Sequence, residues 1–220
     1  MDVGLVYAAL LTPQGKYMAD FFLTADGDDI LLDADGAQAD MLRARLGMYK
    51  LRADVTLADT ALYVHRGVGD IPADGFADPR HPALGWRAYR DLEQINDETD
   101  WTALRVAYAV PQAGIELTAD TFILEAGFEA LNGVDFRKGC YVGQEVTARM
   151  KHKTKLRKGL VQVSIDGDAA PGTEILVGDK TVGTLFSRTE DSALAYLRFE
   201  RAVGSMQAGD ATITWDDAGN

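Results

Sequence analysis

The chain has one cysteine, Cys140, among 220 residues. A single thiol cannot close an intramolecular disulfide, so the fold does not depend on an oxidising compartment. Nor can one cysteine supply the four thiolates that commonly hold an iron–sulfur cluster. A cluster bound here needs further ligands from a second subunit, another protein or a small thiol. Histidine is also scarce: His65, His81 and His152 lie far apart without ligand-spaced partners, so no metal site is expected. No apolar run approaches the roughly 18 residues that a membrane span requires. The opening Met1-Asp2-Val3-Gly4 lacks a basic region, and "LVYAALL" is too short for the apolar core of a signal peptide. These absences lead to the expectation of a soluble, cytoplasmic protein.

Positive charge is in short supply as well. Twenty-two lysines and arginines face 34 acids, for a net charge of −12. A surface of that sign repels nucleic acid and anionic membranes. Two familiar ligand motifs are present only as fragments. "GVGDIP" at 67–72 has Pro72 where a dinucleotide fingerprint needs its third glycine. "DADG" at 33–36 spaces its acids wrongly for a calcium loop, and position twelve from Asp33 is Ala44.

Against this background stands "FRKGCYVGQEVTARMKHKTKLRKG", residues 136–159. It carries eight cations and one acid (+7), so the remainder of the chain carries −19. Cys140 lies inside it, between Gly139 and Gly143. Arg137, Lys138 and Arg149 would favour a thiolate if they faced the sulfur. The alternatives are a buried, inert cysteine and a solvated basic edge.

With 47% apolar residues, the chain can bury one large or two modest cores. "GLVYAALLTPQGKYMADFFL" reads as two strands around a turn, with Pro13 at its corner and Gly15 in the left-handed position. "DDILLDA" is a third strand. Residues 36–50 are helical, with Leu42, Leu46 and Tyr49 on one face. "VTLADTALYVHRG" returns to strand. Residues 67–85, broken by Pro72, Pro79 and Pro82, form a loop. A helix is expected over 99–109, and "TADTFILEAGFEAL" reads as loop and helix. Beyond residue 158 the texture changes: "GLVQVSI", "TEILVG", "KTVGTLFS", "SALAYLRFE" and "ATITWDD" follow at close spacing, as in a small antiparallel barrel or sandwich. The expected division is 1–154 and 155–220, with the basic stretch at the junction.

Lys138-Gly139-Cys140-Tyr141-Val142-Gly143-Gln144-Glu145, with Arg149 four residues on, resembles the signature of the folate-binding YgfZ family. Its members are relatives of the glycine-cleavage T-protein that serve iron–sulfur enzyme maturation. "LLTPQGKYMADFF", "DPRHPALGWR" and "GTLFSRTEDSALAYLR" resemble further segments of that family in the same order, so the likeness spans nearly the whole chain. It implies an α+β fold: an aminomethyltransferase-like folate-binding core followed by a small antiparallel β-barrel. It implies that Cys140 is the working residue and that Lys138, Tyr141, Gln144, Glu145 and Arg149 belong to its site.

"ILEAG" at 123–127 resembles the T-protein segment whose glutamate holds the pterin ring, which points to Glu125. Asp20 matches the T-protein's catalytic aspartate more loosely. The implied cofactor is tetrahydrofolate or a one-carbon derivative, and the implied partners are iron–sulfur assembly proteins or client enzymes. Members of the family begin with a further strand and helix before the hairpin, so apolar surface is expected around Val6, Leu10 and Phe22. Thr154 stands where the family commonly has glycine. Two other functions compete: an aminomethyltransferase, which gives no reason for the cysteine motif, and a tRNA binder gripping phosphates with residues 149–158, expected to be weak because interleaved aromatics are missing.

Overall fold

The computed structural model describes residues 4–153 and 155–216; Met1–Val3, Thr154 and Asp217–Asn220 lie outside the described residues. The comparison of Thr154 with the family glycine therefore has no structural counterpart. The chain forms two compact units, one running up to Leu10 and from Met18 to Thr99, the other comprising Leu11–Tyr17 and the chain from Asp100 onward.

In the first unit, strands β1 (Val6–Leu11), β2 (Tyr17–Asp26) and β3 (Asp29–Ala34) make a sheet in sequence order. The turn between β1 and β2 closes with Thr12 N donating to Lys16 O at 2.8 Å, and Gly15 takes φ +74° as its position requires. Helix α1 (Ala39–Tyr49) covers one face of this sheet, because Leu42 packs with Ala19 and Phe21 while Leu46 flanks them. Burying a leucine of this kind stabilises the unit by about 1.5–3 kcal/mol. Tyr49, expected on the same stripe, is exposed instead.

Alternation along β2 sends Asp20 and Phe22 to the opposite face. There the Arg87 and Arg80 guanidinium groups lie 4.1 and 4.8 Å from the Phe22 ring centroid. Phe22 is consequently buried and Leu10 half-buried; of the three residues expected to expose apolar surface, only Val6 is exposed. A second small sheet orders β4 (Tyr63–Gly67), β6 (Trp86–Arg90) and β5 (Phe76–Ala77). The strand expected from Val55 shortens to β4. Residues 51–61 are exposed throughout, and an alternating pattern without a buried face specifies no strand.

In the second unit, helix α2 (Trp101–Ala107) starts at Asp100, whose carboxylate caps the Ala103 N–H at 2.9 Å. Residues 122–133 form successive turns, interrupted at Gly127 with φ +77°, and bury Ile123, Leu124, Phe128 and Leu131. Helix α3 (Gln144–Lys153) follows, an element the sequence reading leaves unassigned.

Six strands then close a barrel: β7 (Lys158–Asp166), β8 (Glu174–Val177), β9 (Lys180–Arg188), β10 (Ser192–Arg198), β11 (Ser205–Ala208) and β12 (Ala211–Thr214). Their order is β10-β7-β12-β11-β8-β9, and every pair is antiparallel. Val163, Ile165, Ile175, Leu185, Leu197, Met206 and Ile213 fill the interior. Closure leaves no free sheet edge. Among the described residues, no helix is long and apolar enough to cross a membrane.

Candidate functional site

The cysteine motif lies on a loop that leads into α3, and two glycines, Gly143 and Gly15, anchor it. Gly143, at φ +83°, approaches the β1–β2 turn so closely that a β-carbon would lie 2.7 Å from Thr12 O and 3.0 Å from Gly15 Cα. Gly15 answers in kind: a β-carbon there would meet Val146 Cβ at 2.9 Å. Two segments some 130 residues apart in the sequence are thus packed backbone against backbone within one compact unit. Gly143→Ala is expected to cost about 2–4 kcal/mol, combining left-handed strain with overpacking against a backbone that cannot retreat. Urea unfolding measures this, and a loss below about 0.5 kcal/mol would mean the contact is loose.

Cys140 itself is exposed, which excludes the buried, inert reading of its thiol. The neighbouring cations are engaged elsewhere. Arg149 Nη2 reaches Glu145 Oε1 one helical turn away at 2.5 Å. Lys138 Nζ lies 5.0 Å over the Tyr141 ring, and Arg137 Nε stands 3.8 Å from Asp135 Oδ1. Local acids and an aromatic ring thus compete with the sulfur for these three cations. Tyr141 anchors the loop. Its hydroxyl is buried with no hydrogen-bond partner among the described residues, and burial raises its pKa. Gln144 opens α3, its N–H donating to Tyr141 O at 3.2 Å.

Among the described residues, five cations of the basic stretch have acidic partners, including Lys151 with Glu129 and Arg157 with Glu200. This pairing leaves less charge for nucleic-acid phosphates than the sequence suggests. Among the described residues, no group of three or more His, Cys, Asp or Glu side chains is placed to hold a metal ion.

Glu125 is buried in the turns at 122–133. Its Oε2 accepts a hydrogen bond from the Tyr196 hydroxyl, and Lys158 Nζ lies 3.6 Å from the same oxygen. The Leu160 N–H donates to Glu125 O at 2.7 Å, so barrel strand β7 also fixes the backbone. Tyr196 is held protonated, since burial and then the carboxylate it bonds both raise its pKa. Sequence reasoning missed Tyr196, and it counted Lys158 only as charge. A signal existed: in "SALAYL" the residues of both faces are apolar, which marks a strand covered on its outer side. Asp20 belongs to the other compact unit, where Tyr7 Oη donates to its Oδ2 at 2.9 Å.

Residues 157–218 match the family model described as the CAF17 C-terminal beta-barrel domain. The fold of the glycine cleavage system aminomethyltransferase T from Bartonella henselae superposes with a TM-score of 0.73 at 13% identity, over 96% of this chain and 73% of that one. This is the aminomethyltransferase-like fold with a six-stranded carboxy-terminal barrel.

Among the curated relatives, the iron-sulfur cluster assembly factor IBA57 homolog, mitochondrial, of Mycosarcoma maydis is 32% identical over 185 residues, 73% of this chain and 46% of the relative. The mouse protein, iron-sulfur cluster assembly factor IBA57, mitochondrial, is 28% identical over 238 residues, 91% of this chain and 66% of the relative. The chain spans about half to two thirds of these relatives' length. Their names overturn the cytoplasmic expectation, because they place the relatives in the mitochondrion. That expectation rested on what the first residues lack, and such a lack carries no weight in a chain that matches only part of its relatives.

Proposed function

We propose that this chain is a folate-binding accessory protein for iron–sulfur cluster assembly or repair, with the IBA57 and YgfZ proteins as its kin and Cys140 as its working residue. The observation that carries this reading is its likeness to relatives named as iron–sulfur cluster assembly factors, one of them aligned over 91% of the chain. The exposed Cys140 in its Tyr141-anchored loop gives that role a chemical group.

One thiolate offers one ligand. Cys140 would hold a cluster or sulfur only jointly with groups from an assembly partner or a client enzyme. Lys138, Tyr141, Gln144, Glu145 and Arg149 then act as the frame of the loop: Tyr141 by turning its hydroxyl inward, Lys138 by lying over the Tyr141 ring, Gln144 by opening α3, and Glu145 with Arg149 by bracing its first turn. An exposed thiol on so braced a loop can meet a partner without the core opening.

The residues present fit a reduced folate. Oε1 of the buried Glu125 has no partner among the described residues and can accept an N–H, as tetrahydrofolate or a one-carbon derivative would offer. Bound there, folate would supply a planar ring with adjacent N–H donors and a carrier for a one-carbon unit. Asp20, held by Tyr7, is proposed as a folate-side acid in its own unit. Calorimetric titration with tetrahydrofolate tests the assignment. Glu125→Ala is expected to weaken binding about ten- to a hundredfold, the equivalent of roughly 1.5–3 kcal/mol. Equal affinity in the variant would remove Glu125 from the site.

A further inference from the structure

Glu125 presents one carboxylate oxygen and has the other engaged. Oε2 accepts from the Tyr196 hydroxyl and pairs with Lys158 Nζ at 3.6 Å, whereas Oε1 has no partner among the described residues. A head group with an amino group beside a ring N–H needs both oxygens, because its two donors run parallel. Oε2 has room for two hydrogen bonds. The phenol fills one position, and the ammonium sits near the second.

The two contacts differ in kind. Tyr196 projects from β10, a strand paired on both sides within the barrel, and its backbone cannot drift. Its hydroxyl stays protonated for the reasons given above and so remains a donor. Lys158 is 45% exposed, its distance exceeds that of a hydrogen bond, and its ammonium is shared with the Tyr196 ring 5.3 Å away. The pair joins a buried carboxylate to a half-exposed ammonium that water can solvate, and without a hydrogen bond it can give way to a neutral donor at hydrogen-bonding distance.

We propose that Tyr196 is a positioning residue that aims the Glu125 carboxylate, and that Lys158 is a displaceable counter-ion ejected by a ligand with paired N–H donors. The assignment rests on the folate reading of Glu125 and deepens it. Specificity follows from the geometry. A ligand with both donors gains the second bond only by removing Lys158, whereas a ligand with one donor binds Oε1 and leaves the lysine where it is. The two side chains, adjacent to the same oxygen, should therefore act on affinity with opposite signs. A general structural role would give both the same sign.

The test is calorimetric titration of the wild-type chain, Tyr196→Phe and Lys158→Met with tetrahydrofolate and with its 2-desamino analogue. Tyr196→Phe is expected to weaken tetrahydrofolate binding about tenfold or more, as for a lost bond to a charged group. Lys158→Met should tighten it roughly two- to fivefold, the scale of a weak ion pair with one solvated partner. For the analogue, Lys158→Met should change nothing. Melting curves accompany each titration; should Tyr196→Phe melt early, the sign of the Lys158→Met effect decides alone. Weaker tetrahydrofolate binding by Lys158→Met would overturn the proposal, as would equal gains for both ligands. Failure of the wild-type chain to bind tetrahydrofolate would overturn this assignment and the folate reading together, whereas equal affinity in all three proteins would overturn only this one.

Discussion

Glu116→Ala is expected to destabilise the second compact unit by about 3–5 kcal/mol, the scale of breaking one half of a buried ion pair. The Glu116 side chain is fully buried and is used at both oxygens. Oε1 accepts from the Ser187 N–H at 3.1 Å, and Oε2 from the Gln112 N–H at 2.9 Å and from Arg105 Nη1 at 3.4 Å. Arg105 Nη2 donates in turn to Ser187 Oγ at 3.1 Å. One carboxylate therefore ties α2 and the 112–117 loop to barrel strand β9. Alanine would strand the buried Ser187 N–H, free the part-buried Gln112 N–H, and take the counter-charge from a guanidinium that is only 12% exposed. Each lost partner costs about 1–3 kcal/mol by itself, and the losses share one cavity, so they do not simply add. Denaturant unfolding should show the loss at unchanged slope, with Glu116→Gln intermediate because it keeps one acceptor. A loss below about 1 kcal/mol in Glu116→Ala would mean that water replaces the carboxylate at little cost.

Glu116 also shows where sequence reading stops. Nothing around "AGIELTAD" distinguishes this acid from the solvated ones, because its partners Arg105 and Ser187 lie 11 and 71 residues away. Local pattern served better where the physics is local. The hairpin at 6–26 was readable because Pro13 and Gly15 fit the turn chemistry, and α1 because Leu42 and Leu46 follow the helical period. The barrel strands announced themselves by alternation and spacing. β11, "SMQA", escaped because four residues with two small side chains carry little periodic signal.

The candidate site divides the same way. The motif at 138–145 stood out in the sequence, and its loop-to-helix setting accords with an accessible thiol. The charges around it did not behave as composition suggests. Arg149 and Arg137 pair with the acids nearest to them in sequence, Glu145 and Asp135, which the net charge of the stretch does not reveal. The pairing of Tyr196 with Glu125, 71 residues away, follows only from the packing of β10 against the turns at 122–133.

The account turns on Cys140, and complementation tests it most directly. Cells lacking their own copy of the protein would receive the wild-type chain or Cys140→Ser, and the activities of their iron–sulfur enzymes would be measured. Serine is nearly isosteric, and the thiol is exposed, so the variant should melt within about 1 °C of the wild type, a surface-scale change. Its rescue should nevertheless fall to the level of empty vector, since a hydroxyl cannot replace a thiolate as a cluster ligand or sulfur carrier. Full restoration of the enzyme activities by a stably folded Cys140→Ser chain would contradict the central claim.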